Sequence, residues 1–337
     1  MAQLMPTNAV RAPELSFRNE LTYCWDKMPH QGLFLALFGC WLALFLFLGN
    51  PTLGYVASPS IFGWLEWVYK KSPDDSHGRL IPLIVLVFCW LKREQLLAVP
   101  KQPSWTGVLL LLLALTLHVL GYTVQQPQIC LVAFFAGLYA VMGVAWGFQW
   151  LKASFFPFFL FGFCVPTANV LVPLAFPLRM KATQITVALC KGLLGIDVLQ
   201  NGTRILDATG RYQYEVAAAC SGIRSLTAIT AIALIYAFVA FKKPWQRALM
   251  IASAVPFAVV ANVARLSSII VASEAFGPKA GQWVHNSDWV SLAPYIPAIG
   301  GMFLLGHLIS RPWRQRDPAE LNERRLAATS ATTGTQL

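Results

Sequence analysis

Residues 196–243 read IDVLQNGTRILDATGRYQYEVAAACSGIRSLTAITAIALIYAFVAFKK. The first half consists of short alternating runs parted by Asn201-Gly202 and Thr209-Gly210, two turn signals that predict a small β-meander. The second half, from Gly222 to Phe241, is an apolar run of about 20 residues, the length a helix needs to cross a bilayer. It is closed by the basic anchor Lys242-Lys243. The seam between the halves is VAAACSGIRSL, residues 216–226. There Cys220 stands at the mouth of the membrane helix and Arg224 one turn inside it.

The rest of the chain fits a membrane protein. Hydrophobic residues make up 56% of its 337 residues and charged ones 12%, against about a quarter charged in soluble domains. The net charge of +11 is spread between apolar runs and forms no aromatic-interleaved basic face, so nucleic acid is not an expected partner. No cleavable signal is visible, and residues 1–31 form an expected cytoplasmic N-terminal segment. Apolar runs near 32–49, 79–91, 105–122, 129–147, 154–173, 218–241, 248–272 and 290–309 give eight expected crossings, the fifth interrupted by Pro157 and Pro166. Basic clusters at Lys92-Arg93 and Lys242-Lys243 put those turns, and with them the N-terminus, in the cytoplasm.

Residues 177–196 carry basic side chains on a mostly apolar helix and read as interfacial. With the meander they make an extracytoplasmic cap over 177–216, just before the sixth crossing. The expected fold is therefore an all-α polytopic membrane protein with a small β cap. A transmembrane domain spans 32–310, and a cytoplasmic tail, largely disordered, spans 311–337. Trp64, Trp67 and Tyr69 read as an interfacial aromatic belt.

Helix rise places three reactive side chains at one depth. Counting outward from Lys242 puts Cys220 at the outer boundary. A like count along the seventh crossing puts Arg265 in its last outer turn, and His285 falls just before the eighth. A cysteine acts as thiolate, favoured at a helix N-terminus or beside a cation such as Arg224. An arginine offers a permanent charge and several donors to an oxyanion, and a histidine can pass a proton in both directions near neutrality. Individually the three have plainer readings: a packed thiol, a snorkelling arginine and a loop histidine. Asn262, one turn before Arg265, favours a polar inward face.

Ser221 lacks a GxSxG setting. His118 and His307 lack ligand-like company, so neither metal nor cofactor is expected. A transporter whose pathway is lined by Arg224, Asn262 and Arg265 is the competing class, although no repeat supports it. A non-catalytic membrane factor for exopolysaccharide assembly is a further alternative.

At these residues the chain resembles the exosortase/archaeosortase family of polytopic cysteine transpeptidases. Ala219-Cys220-Ser221-Gly222-Ile223-Arg224-Ser225-Leu226 matches the family's ACSG(I/L)RSL motif, Asn262-Val263-Ala264-Arg265 its NxxR, and His285 its outer-loop histidine. Upstream, DDSHGRLIPLI (74–84), which contains His77, resembles the family's SHGxL(V/I)P stretch, and FPLRMKATQIT its FPL run. The resemblance covers roughly 75–310. It implies Cys220 as nucleophile, Arg265 as oxyanion stabiliser and His285 as general acid and base, supported by Ser221, Gly222, Arg224, Asn262 and His77. It implies as substrates exported proteins with a C-terminal sorting signal of the PEP-CTERM type: a Pro-Glu-Pro-like motif, a transmembrane helix and a basic tail. The implied location is the cytoplasmic (inner) membrane with the active site on its outer side, among membrane lipids. The oligomeric state is left open. Two departures bear on the recognised motif: Ala218 stands where many members carry glutamate, and VHNSDW differs from the commoner histidine context.

Overall fold

The computed structural model describes residues 16–310 apart from 53, 73, 74, 211, 216–221, 288–292 and 294. Its helices are α1 (Phe17–Asp26), α2 (Gln31–Phe47), α3 (Ile61–Lys71), α4 (Ile81–Leu91), α5 (Arg93–Ala98), α6 (Trp105–Thr123), α7 (Pro127–Trp146), α8 (Phe148–Phe159), α9 (Ala168–Gly192), α10 (Gly222–Ala240), α11 (Pro244–Ala252), α12 (Ala254–Phe276), α13 (Pro278–Asn286) and α14 (Tyr295–Ser310). Two 3-10 turns lie at Ser76–Leu80 and Leu160–Cys164. Strands β1 (Val198–Asn201), β2 (Arg204–Asp207) and β3 (Gln213–Glu215) form an antiparallel meander in chain order. The chain divides into two compact units between Leu171 and Val172.

This is a mostly helical, multi-pass membrane protein with one small sheet. Among the described residues α6, α7 and the α11–α12 run (Pro244–Phe276) are long and apolar enough to cross a bilayer. A fourth span arises if α1 and α2, bent by 98°, count as one. Ser76–Leu91, Phe148–Cys164, Leu226–Ala240 and Tyr295–Ser310 are apolar but shorter. Helical residues lie at the place of each expected crossing, but among the described residues only three, or four with the bent pair, reach full length. The fifth, expected over 154–173, is broken in two. Beyond Pro157 the helix ends at Phe159 and tightens into a 3-10 turn. Val165 is extended, as a residue before proline must be, and residues 168–173 belong to α9 instead.

In the first unit α2, α6 and α7 enclose Trp41, Phe45, Ala114, Leu131, Phe134 and Val141. Helices in lipid lack a hydrophobic drive toward one another, so close backbone approach at small residues has to supply the packing. A Cβ on Gly107 would collide with the backbone of Gly143 and Val144, and one on Gly137 with the Trp41 ring. The Trp41 indole donates to the Phe134 carbonyl at 3.0 Å, which satisfies its own N–H inside the core. Contrary to the aromatic-belt reading, Trp64 and Tyr69 are buried and only Trp67 is exposed. Trp64 joins the α2–α7 core, and the Tyr69 hydroxyl donates to the Cys164 carbonyl.

In the second unit α10, α11, α12 and α14 meet along Ile229, Ala233, Ala237, Met250, Ala254, Ala258, Ala261, Ala298 and Met302. The alanines let these helices approach closely. The α10–α11 corner is held by Arg247, whose Nε donates to the Phe241 carbonyl at 2.9 Å while its guanidinium lies 4.7 Å from the Phe238 ring centroid.

Gly107→Val is expected to destabilise the protein by about 1–3 kcal/mol through overpacking, read as a lower melting temperature in detergent. Gly39→Val, where a Cβ meets nothing within 4 Å, should leave that temperature nearly unchanged.

Candidate functional site

The core of the site is one face of α12. From the apolar seam at Ala258 and Ala261 the buried stripe passes to Asn262 and Arg265 and returns to Leu266, Ile269, Ile270 and Ser273. Each member has another three or four residues along the chain, so the stripe keeps to one side of the helix. Arg265 is only 7% exposed. Its Nε is shut away from solvent without a hydrogen bond, and no ion pair reaches it among the described residues. Ser268 Oγ donates to the Arg265 carbonyl at 2.7 Å and Ser273 Oγ to that of Ile269 at 2.8 Å, so these hydroxyls are consumed by their own helix.

The C-terminal half of α12 carries the sheet. Leu266, Ile269 and Ile270 form one cluster with Cys190 of α9, Val198 of β1 and Ile205 of β2. The turns predicted at Asn201-Gly202 and Thr209-Gly210 are present, with Gly202 and Gly210 at φ of +62° and +78°. Tyr212, beside β3, donates from its hydroxyl to Glu274 Oε2 at 3.3 Å near the end of α12. Burial pushes the Cys190 thiol above its ordinary range, which makes it a poor nucleophile.

His285 arrives by a reversal of the chain. Gly277 ends α12 at φ +87° and ψ 168°, a conformation open almost only to glycine. The helix that follows, α13, folds back so that Val284 packs on the Leu266, Ile269 and Ile270 cluster. Arg265 and His285 are therefore the chain neighbours of two residues in one apolar cluster. His285 is half-buried in the last turn of α13.

The α10 side of the site is described from its first residue, Gly222. Cys220 and Ser221 lie outside the described residues, and Arg224 is placed in the first turn of α10 by its backbone. One turn on, Leu226 lines a small cleft with Leu178 and Arg179 of α9 and with Ala258, Val259 and Asn262 of α12. Arg179 is a buried residue that composition alone does not single out. It lies in the 177–196 segment expected to be interfacial, yet it is 4% exposed. It heads a buried stripe of α9 through Ala182, Thr183, Thr186 and Cys190, while Lys181, Gln184 and Lys191 face outward. The helical spacing of Arg179, Thr183, Thr186 and Cys190 was the available signal.

His77 belongs to the first unit, in the 3-10 turn after Asp75. Its surroundings are built for structure: the buried Asp75 accepts from Ser72 Oγ at 2.8 Å and from the Thr167 amide at 3.2 Å. Gly78 is pressed against Tyr69, and Cys164 Sγ reaches its carbonyl at 3.5 Å. Arg79 bonds Glu66 at 3.3 Å. Among the described residues no three His, Cys, Asp or Glu side chains gather in the way a metal ion requires.

The family model described as Transmembrane exosortase (Exosortase_EpsH) matches residues 64–299, a stretch that takes in both the His77 segment and the α10–α13 site. No curated protein and no solved structure matches the chain.

Gly277→Val should cost about 1–3 kcal/mol of backbone strain, since a Cβ there meets nothing within 4 Å and steric crowding contributes little. Hydrogen exchange should show the loss concentrated in the amides of α13, with α10 and α14 protected as before.

Proposed function

The chain belongs to the transmembrane exosortase family, and from that premise we propose that it is a membrane cysteine peptidase or transpeptidase with Cys220, Arg265 and His285 as its catalytic residues. The observation that carries the reading is Arg265: a buried guanidinium, with an Nε that bonds nothing, on the polar step of an otherwise apolar helix face. Holding such a cation costs several kcal/mol unless an anion compensates it. Catalysis supplies one transiently, as the oxyanion of an acyl-transfer intermediate. Asn262 adds a neutral donor on the same face, and Gly277 with Val284 brings the His285 helix back toward it.

In this mechanism the Cys220 thiolate, two residues ahead of the first residue of α10, attacks the scissile carbonyl carbon. A carbon–sulfur bond forms, and the carbonyl π electrons move to oxygen, where Arg265 stabilises the charge. Collapse expels the amine, which takes a proton from the His285 imidazolium and leaves a thioester. The neutral imidazole then removes a proton from water or an acceptor nucleophile as it attacks the thioester, and thiolate leaves. Ser221, Gly222 and Arg224 shape the entry to α10. His77 has a supporting part in the first unit.

The substrates in this reading are exported proteins with a C-terminal motif, a transmembrane helix and a basic tail, cut at the outer face of the cytoplasmic (inner) membrane. A substrate anchored by its own helix presents its scissile bond just outside the hydrocarbon, which is where a nucleophile at a helix mouth can reach it. Eight crossings with the N-terminus inside give the topology that places Cys220 and the cap on that face.

The test is mass spectrometry of the new C-terminus of a tagged substrate in cells with and without the protein. Cys220→Ala should abolish the cut, and Arg265→Gln should slow it by about 10²–10³-fold, the range for loss of an oxyanion donor. Processing that survives Cys220→Ala would sink the assignment.

A further inference from the structure

The first unit carries a groove that the mechanism above does not use. Between α7 and α8 lie two cavities of about 400 and 260 Å³, and Tyr139 and Phe155 line both, so the two run into one another. Lys152 stands in the wall of the first, and the second extends to Gly162 and Val165. We propose that this groove binds one anionic phospholipid, with its phosphate at Lys152 and one acyl chain laid along α8.

Charge, length and width each point to that occupant. Lys152 is exposed, and among the described residues no carboxylate pairs with it. Its Nζ turns back over the Phe148 ring, 4.5 Å from the centroid and one helical turn nearer the α7–α8 corner. The α7 helix is long and apolar enough to cross a bilayer and ends at Trp146. That turn therefore carries the ammonium toward the membrane surface, the level of lipid phosphates. From Lys152 to Gly162 is about 15 Å at helical rise, half the hydrocarbon core and so the depth of one leaflet. A helix of like length, about 10–12 Å across, fills roughly three times the 260 Å³ of the deeper cavity. The groove is cut to the width of a chain. Ala136 and Gly162 hold it open: both are exposed, and a Cβ on Gly162 meets nothing within 4 Å. The wall is braced, because Phe135 stacks on Phe161 at 4.5 Å and the Tyr139 ring lies 5.3 Å from that of Phe158. The groove is thus formed before a ligand enters it. The Tyr139 hydroxyl is taken by the Leu151 carbonyl, which leaves the Lys152 ammonium as the side-chain group to meet a headgroup.

The test is native mass spectrometry of the full-length protein in a mild non-ionic detergent, titrated with phosphatidylglycerol or with phosphatidylcholine of the same acyl chains. The unaltered protein should bind its first phosphatidylglycerol about fivefold more tightly than phosphatidylcholine, the effect of one lysine at a lipid surface. Lys152→Gln should bring the two affinities together, and Lys152→Arg should keep them apart. Gly162→Leu and, from the facing wall, Ala136→Leu fill the groove and should weaken both lipids alike. Melting temperatures in lipid-free detergent should stay level across these variants, since all three positions are exposed. Equal affinity of the two lipids for the unaltered protein, or a preference that survives Lys152→Gln, overturns the site. Displacement of phosphatidylglycerol by glycerol 1-phosphate overturns it as well, because the headgroup then binds without a chain. A dimer that Gly162→Leu dissociates gives the groove to a second copy, and a hydrophobic transmembrane peptide that expels the lipid one for one gives it to a helix; either result overturns the proposal.

Discussion

A guanidinium held away from water is expensive, and the second unit is organised around that expense. The α12 helix has to be apolar on its inner face to pack against α10 and α14, and it is, through Ala254, Ala258 and Ala261. The same face then carries Asn262 and Arg265 before turning apolar again beneath the cap. A polar step bounded on both sides by close packing cannot drift to solvent. The bundle fixes it from one side, and the sheet with α13 from the other. This is preorganisation in its plainest form: the cost of ordering and desolvating the group is met at folding, before any substrate arrives.

Much of this arrangement was legible in the residues. Apolar runs located the helices, and two Asn-Gly and Thr-Gly turn signals located the meander to within a residue or two. The i, i+3 pair Asn262 and Arg265 declared a polar face. What failed were features set by partners distant in sequence. Arg179 sits among Lys181 and Lys191 in a segment that composition alone reads as interfacial; only its neighbours on α10 and α12 turn that position inward. Trp64 and Tyr69 have the composition of a membrane belt, but a core to fill and the Cys164 carbonyl to meet draw them inside. The fifth crossing was drawn through Pro166, where the backbone before proline is extended and α9 begins afresh.

The two units divide the work differently. In the first, glycines at Gly107, Gly121 and Gly137 bring α6, α7 and α2 to near contact, and the Asp75 segment is tied to α3 and to the turn after α8. Such a body resists deformation. The second carries Arg265 on α12 and His285 on α13, with a sheet too small to be stable by itself and dependent on α12 for a core.

The hydroxyl groups of these helices follow one habit. Thr183, Thr186, Ser154, Ser253, Ser268 and Ser273 all donate to a carbonyl three or four residues back on their own helix. Hydropathy scales charge each of them as a polar penalty, although the proton that would seek water is already spent. To the surrounding hydrocarbon they act as small inert volumes, so helices that contain them are better suited to oil than their summed indices suggest. A polar residue that can answer its own backbone is nearly silent toward lipid; one that cannot, like Arg265, is where the membrane helix has been made to speak to something else.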